Sequence, residues 1–66
     1  MRVSVESRDF STTVNLPNGA KLADVYRSLN LKEETYLASV DGTLMTGDDP
    51  LAEGSKVKLL PVVSGG

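Results

Sequence analysis

Lys56-Val57-Lys58-Leu59-Leu60-Pro61-Val62-Val63-Ser64-Gly65-Gly66 closes this 66-residue chain, and its reading decides the fold. From Lys56 to Val62 the run is largely apolar and reads as a strand. Alternation puts Val57 and Leu59 on one face and Lys58, Leu60 and Val62 on the other. So apolar a strand is expected to insert centrally in a sheet, parallel to the first strand. Pro61 has no N–H for a ladder, so residues 1–61 are read as the domain and residues 62–66 as a flexible tail. Glycine has no Cβ, so a terminal Gly65-Gly66 can thread a channel too narrow for other residues and leaves the last carboxylate open. At average usage of about 7% Gly, such a pair falls at a given site in about 0.5% of chains. The pair is therefore read as functional, with the C-terminus itself as the reactive group.

Working outward, Arg2-Val3-Ser4-Val5-Glu6 and Ser11-Thr12-Thr13-Val14-Asn15-Leu16 alternate polar and apolar, and the short Ser7–Phe10 link predicts a hairpin. Pro17-Asn18-Gly19 breaks the second strand. From Ala20 the period changes: Leu22, Val25, Tyr26 and Leu29 fall at i, i+3, i+4 and i+7. That spacing predicts an amphipathic helix of about three turns, with Asn18 as N-cap and Asn30 as stop. Tyr36-Leu37-Ala38-Ser39-Val40 is a third strand closed by Asp41-Gly42, a tight-turn pair, with Thr43-Leu44-Met45 returning. Leu51-Ala52-Glu53-Gly54-Ser55 is a turn into the last strand. The predicted architecture is α+β: a mixed four- to five-stranded sheet with one main helix packed across one face.

Composition narrows the chemistry. Cysteine and histidine are both absent, which removes disulfides, internal thiol nucleophiles and the commonest general base and metal ligand. The net charge of −2, the pI near 4.8 and the scattered basic residues exclude a nucleic-acid footprint. Mild acidity would steer docking toward a basic partner, or simply solvate the surface. No apolar run reaches the roughly 18 residues of a membrane span, and the start lacks a signal-peptide pattern. A cytoplasmic, monomeric domain without a membrane partner is expected.

In this order of elements, with Val40-Asp41-Gly42 after the third strand, Leu51-x-x-Gly54-x-x-Val57 before the last and Leu60-Pro61-Val62-Val63-Ser64-Gly65-Gly66 at the end, the chain resembles the β-grasp, ubiquitin-like sulfur carriers and small archaeal modifiers. The resemblance covers essentially the whole chain. Its ending looks most like the small subunit of molybdopterin synthase, and its compactness and Val-Asp-Gly turn look equally like the thiamine-pathway carrier. It departs from them at Ser55, where those families often carry Asp.

The resemblance implies a protein substrate rather than an enzyme. A ubiquitin-activating-like adenylating enzyme would use ATP to activate the Gly66 carboxylate, with Gly65 as the thin approach. A sulfur-transfer partner would then make a thiocarboxylate for molybdopterin, thiamine or tRNA thiolation, or a target lysine would take the acyl group in an isopeptide bond. No cofactor is bound in this scheme. Leu60, Val62, Val63 and Ser64 are the expected partner-binding residues, because exposed apolar residues beside the tail suit an interface. Lys21, Lys32, Lys56 and Lys58 are candidate acceptors in chain formation, with solubility as their default role. Asp48-Asp49, near Asp41 and Glu53, lacks calcium-loop spacing and is read as a solvated turn, so no metal site is expected. Asp24 and Arg27 are read as a surface pair, Glu33-Glu34 as a charged loop or helix end, and Tyr26 and Tyr36 as rims of the core. The competing reading is a plain β-grasp interaction domain whose tail is inert.

Overall fold

The computed structural model describes residues 1–62. It contains β1 (Arg2–Ser7), β2 (Ser11–Asn15), α1 (Leu22–Ser28), a 3-10 turn (Glu33–Thr35), β3 (Tyr36–Val40), β4 (Thr43–Met45) and β5 (Lys56–Pro61). The strands form one sheet in the order β2-β1-β5-β3-β4. β5 lies in the middle, parallel to β1 and antiparallel to β3, as its apolar sequence predicts.

Period-2 alternation sorts the sheet into two faces. Val5, Val57 and Val40 form one row across β1, β5 and β3, and Leu59 and Ala38 continue the same face. These residues are buried with Leu22, Val25 and Tyr26 of α1 in a single core. Full burial of Leu22 and Leu59 contributes about 1.5–3 kcal/mol each. A chain this small has little else to draw on.

The helix differs from its sequence reading. It has two turns instead of three, and its N-cap is Lys21 rather than Asn18. Asn18 sits in a turn closed by the Ala20 N–H donating to the Pro17 carbonyl (3.1 Å), with Gly19 in the left-handed region (φ +88°). The next residues are held in an extended pairing: Lys21 bridges Pro50, and the Leu51 N–H donates to the Ala20 carbonyl at 2.9 Å. Only then does α1 start. Its first amides, Leu22 and Ala23, donate to the carbonyls of Asp49 and Gly47, both at 3.0 Å. These bonds satisfy donors that a helix N-terminus otherwise leaves orphaned. Asp24 folds back to accept the Lys21 N–H (2.9 Å) and also lies 3.6 Å from Arg27, the expected surface pair.

The expected stop at Asn30 is present as a C-terminal cap. Asn30 takes φ +58°, its N–H donates to Arg27 O (3.2 Å), and the Leu31 N–H donates to Tyr26 O (2.8 Å). This is the Schellman pattern. Tyr26 belongs to the core and not to its rim, since it shares the buried face of α1 with Leu22 and Val25, whereas Tyr36 is half-buried.

Candidate functional site

The second face of the sheet has no helix over it. β5 presents Lys56, Lys58 and Leu60 there, flanked by Arg2, Ser4 and Glu6 of β1 and by Leu37 and Ser39 of β3. Register decides which of these meet. Leu60 stands opposite Leu37, and Lys58 lies between Glu6 and Ser39. Leu44 on β4 faces Ser39 and is therefore diagonal to Leu37, within reach of a long side chain. Val62 follows Leu60 on the same strand line, and its N–H donates to the Thr35 carbonyl at 2.9 Å.

The result is a cluster of exposed apolar side chains where β5 leaves the sheet: Leu37 (55%), Leu44 (71%), Leu60 (58%) and Val62 (44%). Scattered single leucines on a surface need no explanation, but a contiguous group beside a chain terminus does. Leu60 and Val62 are where the alternation of β5 places them. Leu37 and Leu44 were missed as site residues. The signal for Leu37 was present, because burying Tyr36, Ala38 and Val40 turns Leu37 outward. Leu44 lies on a three-residue strand too short for alternation to assign a face.

The β5–β3 pairing ends at Pro61, opposite Tyr36, and beyond it the Val62 N–H is tied to the Thr35 carbonyl of the 3-10 turn. Val63, Ser64, Gly65 and Gly66 lie outside the described residues. Lys21, Lys32, Lys56 and Lys58 are all exposed but lie in different places: at the helix cap, before the 3-10 turn, and at two points along β5.

The acidic residues are engaged separately. Asp49 accepts the Thr46 N–H (2.8 Å), Asp41 accepts the Lys56 N–H (3.2 Å), and Glu53 accepts the Arg2 N–H (3.0 Å). Each carboxylate closes a turn or loop instead of converging on a common point. Ser55, where the chain departs from the pattern it resembles, is buried, and its Oγ accepts the Ala52 N–H at 3.0 Å. A serine hydroxyl thus supplies the acceptor that this turn needs. Burial raises the Tyr26 phenol, helped by the nearby charges of Glu33 and Tyr36.

A mixed five-stranded sheet with β5 central and parallel to β1, and one helix across a single face, is the ubiquitin-like β-grasp fold. The ThiS family profile matches residues 1–66, and the chain belongs to that family. Solved structures repeat the architecture. The SAMP1 protein of Haloferax volcanii is 16% identical over all of both chains, with a TM-score of 0.79. A putative molybdopterin converting factor subunit 1 from Pyrococcus furiosus is 20% identical, covering 94% of this chain and 98% of its own, with a TM-score of 0.78. A molybdopterin-converting factor from Helicobacter pylori, solved as a complex of subunits 1 and 2, is 22% identical over all of both chains, with a TM-score of 0.73. The chain is therefore a ThiS-family protein with the ubiquitin-like β-grasp fold, and the Helicobacter pylori neighbour with that fold was solved together with a second subunit. Among the described residues no helix is long and apolar enough to cross a membrane.

Proposed function

We propose that this chain carries sulfur, or is itself transferred, through the carboxylate of Gly66. The observation that carries the reading is the exposed cluster of Leu37, Leu44, Leu60 and Val62 at the point where β5 leads into a diglycine end. A partner docked on that cluster receives the tail in a defined direction. The four residues beyond Val62 span at most about 14 Å if extended, at roughly 3.3–3.6 Å per residue. That length reaches from the docking patch into an active site of the partner.

The chemistry belongs to the partner. An adenylating enzyme binds ATP, a Gly66 carboxylate oxygen attacks the α-phosphorus, and pyrophosphate leaves. Hydrosulfide then attacks the acyl carbon, expels AMP and leaves a thiocarboxylate, or a lysine amine attacks there, expels AMP and leaves an isopeptide. With no Cys and no His, the chain has neither a thiol to intercept the acyl group nor an imidazole to hydrolyse it. It acts as a monomer in the cytoplasm, where ATP and sulfur donors are supplied. Residues 62–66 are the segment that enters the partner, with Val63 and Ser64 inside its channel. Thiolation for molybdopterin, thiamine or tRNA is the sulfur-transfer outcome, and lysines such as Lys21, Lys32, Lys56 and Lys58 are acceptors only if chains form.

Intact-mass spectrometry of the protein from its native cells tests this. Replacement of one oxygen by sulfur at Gly66 establishes the carrier role. Larger conjugates that vanish when Gly65-Gly66 is deleted establish the modifier role. Neither product, under sulfur-starved and sulfur-replete growth alike, leaves an interaction domain with an inert tail and overturns the proposal.

A further inference from the structure

At the β4 edge of the sheet the ladder is incomplete. The last pair is Ala38 with Met45, so Tyr36 and Leu37 of β3 have no strand beside them on that flank. The gap is a groove between this edge and the 3-10 turn. Tyr26, Tyr36, Leu37, Leu44 and Met45 give it an apolar lining, while Glu33 and Glu34 bring two carboxylates and no Lys or Arg lines it. Among the described residues the single ion pair is Asp24 with Arg27, so neither glutamate has a cationic partner there.

Two further features point to a ligand. Tyr26 is only 4% exposed, and its hydroxyl makes no hydrogen bond to a described group. Among the described residues no fully buried side-chain polar atom lacks a partner, so this hydroxyl keeps some solvent contact, and Tyr26 is one of the residues that line the groove. Gly47 also lines the groove, and a Cβ there would overlap the Glu33 carboxylate. The glycine therefore leaves the room that Glu33 occupies.

A phenol hydroxyl without a described partner, two carboxylates without a cationic partner and the half-buried Tyr36 ring suit a planar cation on an apolar stem. Guanidinium donates in a fork to carboxylates and lies over aromatic faces. An acidic ligand meets like charge, and a bare metal ion leaves the apolar lining unexplained. We propose that this groove receives an arginine side chain, flanked by apolar residues, from the protein that docks on the open face. Leu37 and Leu44 belong to both the groove and the exposed cluster, so the inference rests on the docking reading above and adds its second contact. A partner seated on the open face reaches the groove by wrapping round β4.

The test places a photo-reactive benzoylphenylalanine at Leu44 in the full chain, in its native cells, with the same group at Thr13 as reference. The captured segment is sequenced, then made as a peptide, with and without its arginine replaced by alanine. The expected segment carries arginine between apolar residues. Its peptide binds the wild-type chain, weakens about tenfold or more against the Glu33→Gln/Glu34→Gln variant, and weakens similarly without its arginine. Asp9→Asn, an exposed carboxylate outside the groove, changes affinity less than about twofold. The inference is overturned by no capture above the Thr13 reference, by a captured segment without a cation, by capture of a second copy of this chain, or by affinity indifferent to the glutamates. Amide spectra of each variant confirm that it is folded. Gly66 modification is measured on the same cells. An unmodified Gly66 with glutamate-dependent binding removes the carrier reading alone, and a modified Gly66 with indifferent binding removes the groove alone.

Discussion

Ser55 illustrates how much one buried hydroxyl can decide in a chain this small. Its Oγ accepts the Ala52 N–H while its own N–H donates to the Ala52 carbonyl (3.1 Å), and Gly54 beside it takes φ +79°. Removing the hydroxyl leaves the turn amide short of an acceptor. Ser55→Ala is expected to cost about 1–2 kcal/mol, visible as a fall of roughly 4–8 °C in Tm per kcal/mol. The exposed Ser4→Ala changes stability within about 0.5 kcal/mol. Tyr26 gives a second handle at this scale. Folding raises its phenol above 10.0, chiefly through burial and then through Glu33 and Tyr36, so the folded state favours the protonated ring. That contribution is fully present below the unfolded pKa and is lost as pH rises through the folded one. Denaturant midpoints are expected to fall as pH rises through and beyond the ordinary phenol value of 10.0, and Tyr26→Phe abolishes that part of the fall. A midpoint loss that is the same in Tyr26→Phe would show that the phenol is not its source.

At the scale of elements, the β3–turn–β4 unit was legible because every signal in it is local. Tyr36, Ala38 and Val40 alternate with Leu37 and Ser39, and Asp41-Gly42 demands a turn with two left-handed residues, observed at φ +50° and +89°. That pairing is the type I′ hairpin turn. Gly42→Val is therefore expected to destabilise by about 1–2 kcal/mol, since a side chain at positive φ meets its own carbonyl. Urea unfolding measures it, and a neutral result would mean that the hairpin tolerates another turn. The start of α1 was not legible for the opposite reason. Asn18 has cap chemistry, but the chain from Ala20 to Ala23 is bonded to residues 47–51, far along the sequence. No local pattern announces a helix whose first amides are taken by a distant loop. The docking face falls between these cases: alternation along β5 places Leu60 and Val62 and alternation along β3 turns Leu37 outward, while Leu44 enters only through the β3–β4 register.

On the scale of the whole molecule, the two faces of the sheet have separate duties. Val3, Val5, Val57, Leu59 and Val40 are at most 3% exposed and pack against the helix, so the core is complete without the opposite face. Leu37 and Leu60, each more than half exposed, contribute little burial to that core. Retaining large apolar groups in water beside the chain's end makes sense only if something else covers them. Stability and partner engagement are therefore separable by mutation. Leu60→Asp and Leu37→Asp, made singly so that two carboxylates never face each other across β5 and β3, are expected to keep Tm within a few degrees. Each is expected to cut Gly66 modification in native cells by about tenfold or more, because a charge buried in an apolar interface goes unpaired. Thr13→Asp, on the same face but two strands from β5, should leave modification unchanged. If Leu60→Asp stays folded and Gly66 is modified at the wild-type rate, the exposed cluster is not the docking surface. If Leu60→Asp unfolds the chain while Leu37→Asp does not, Leu37 alone decides the question.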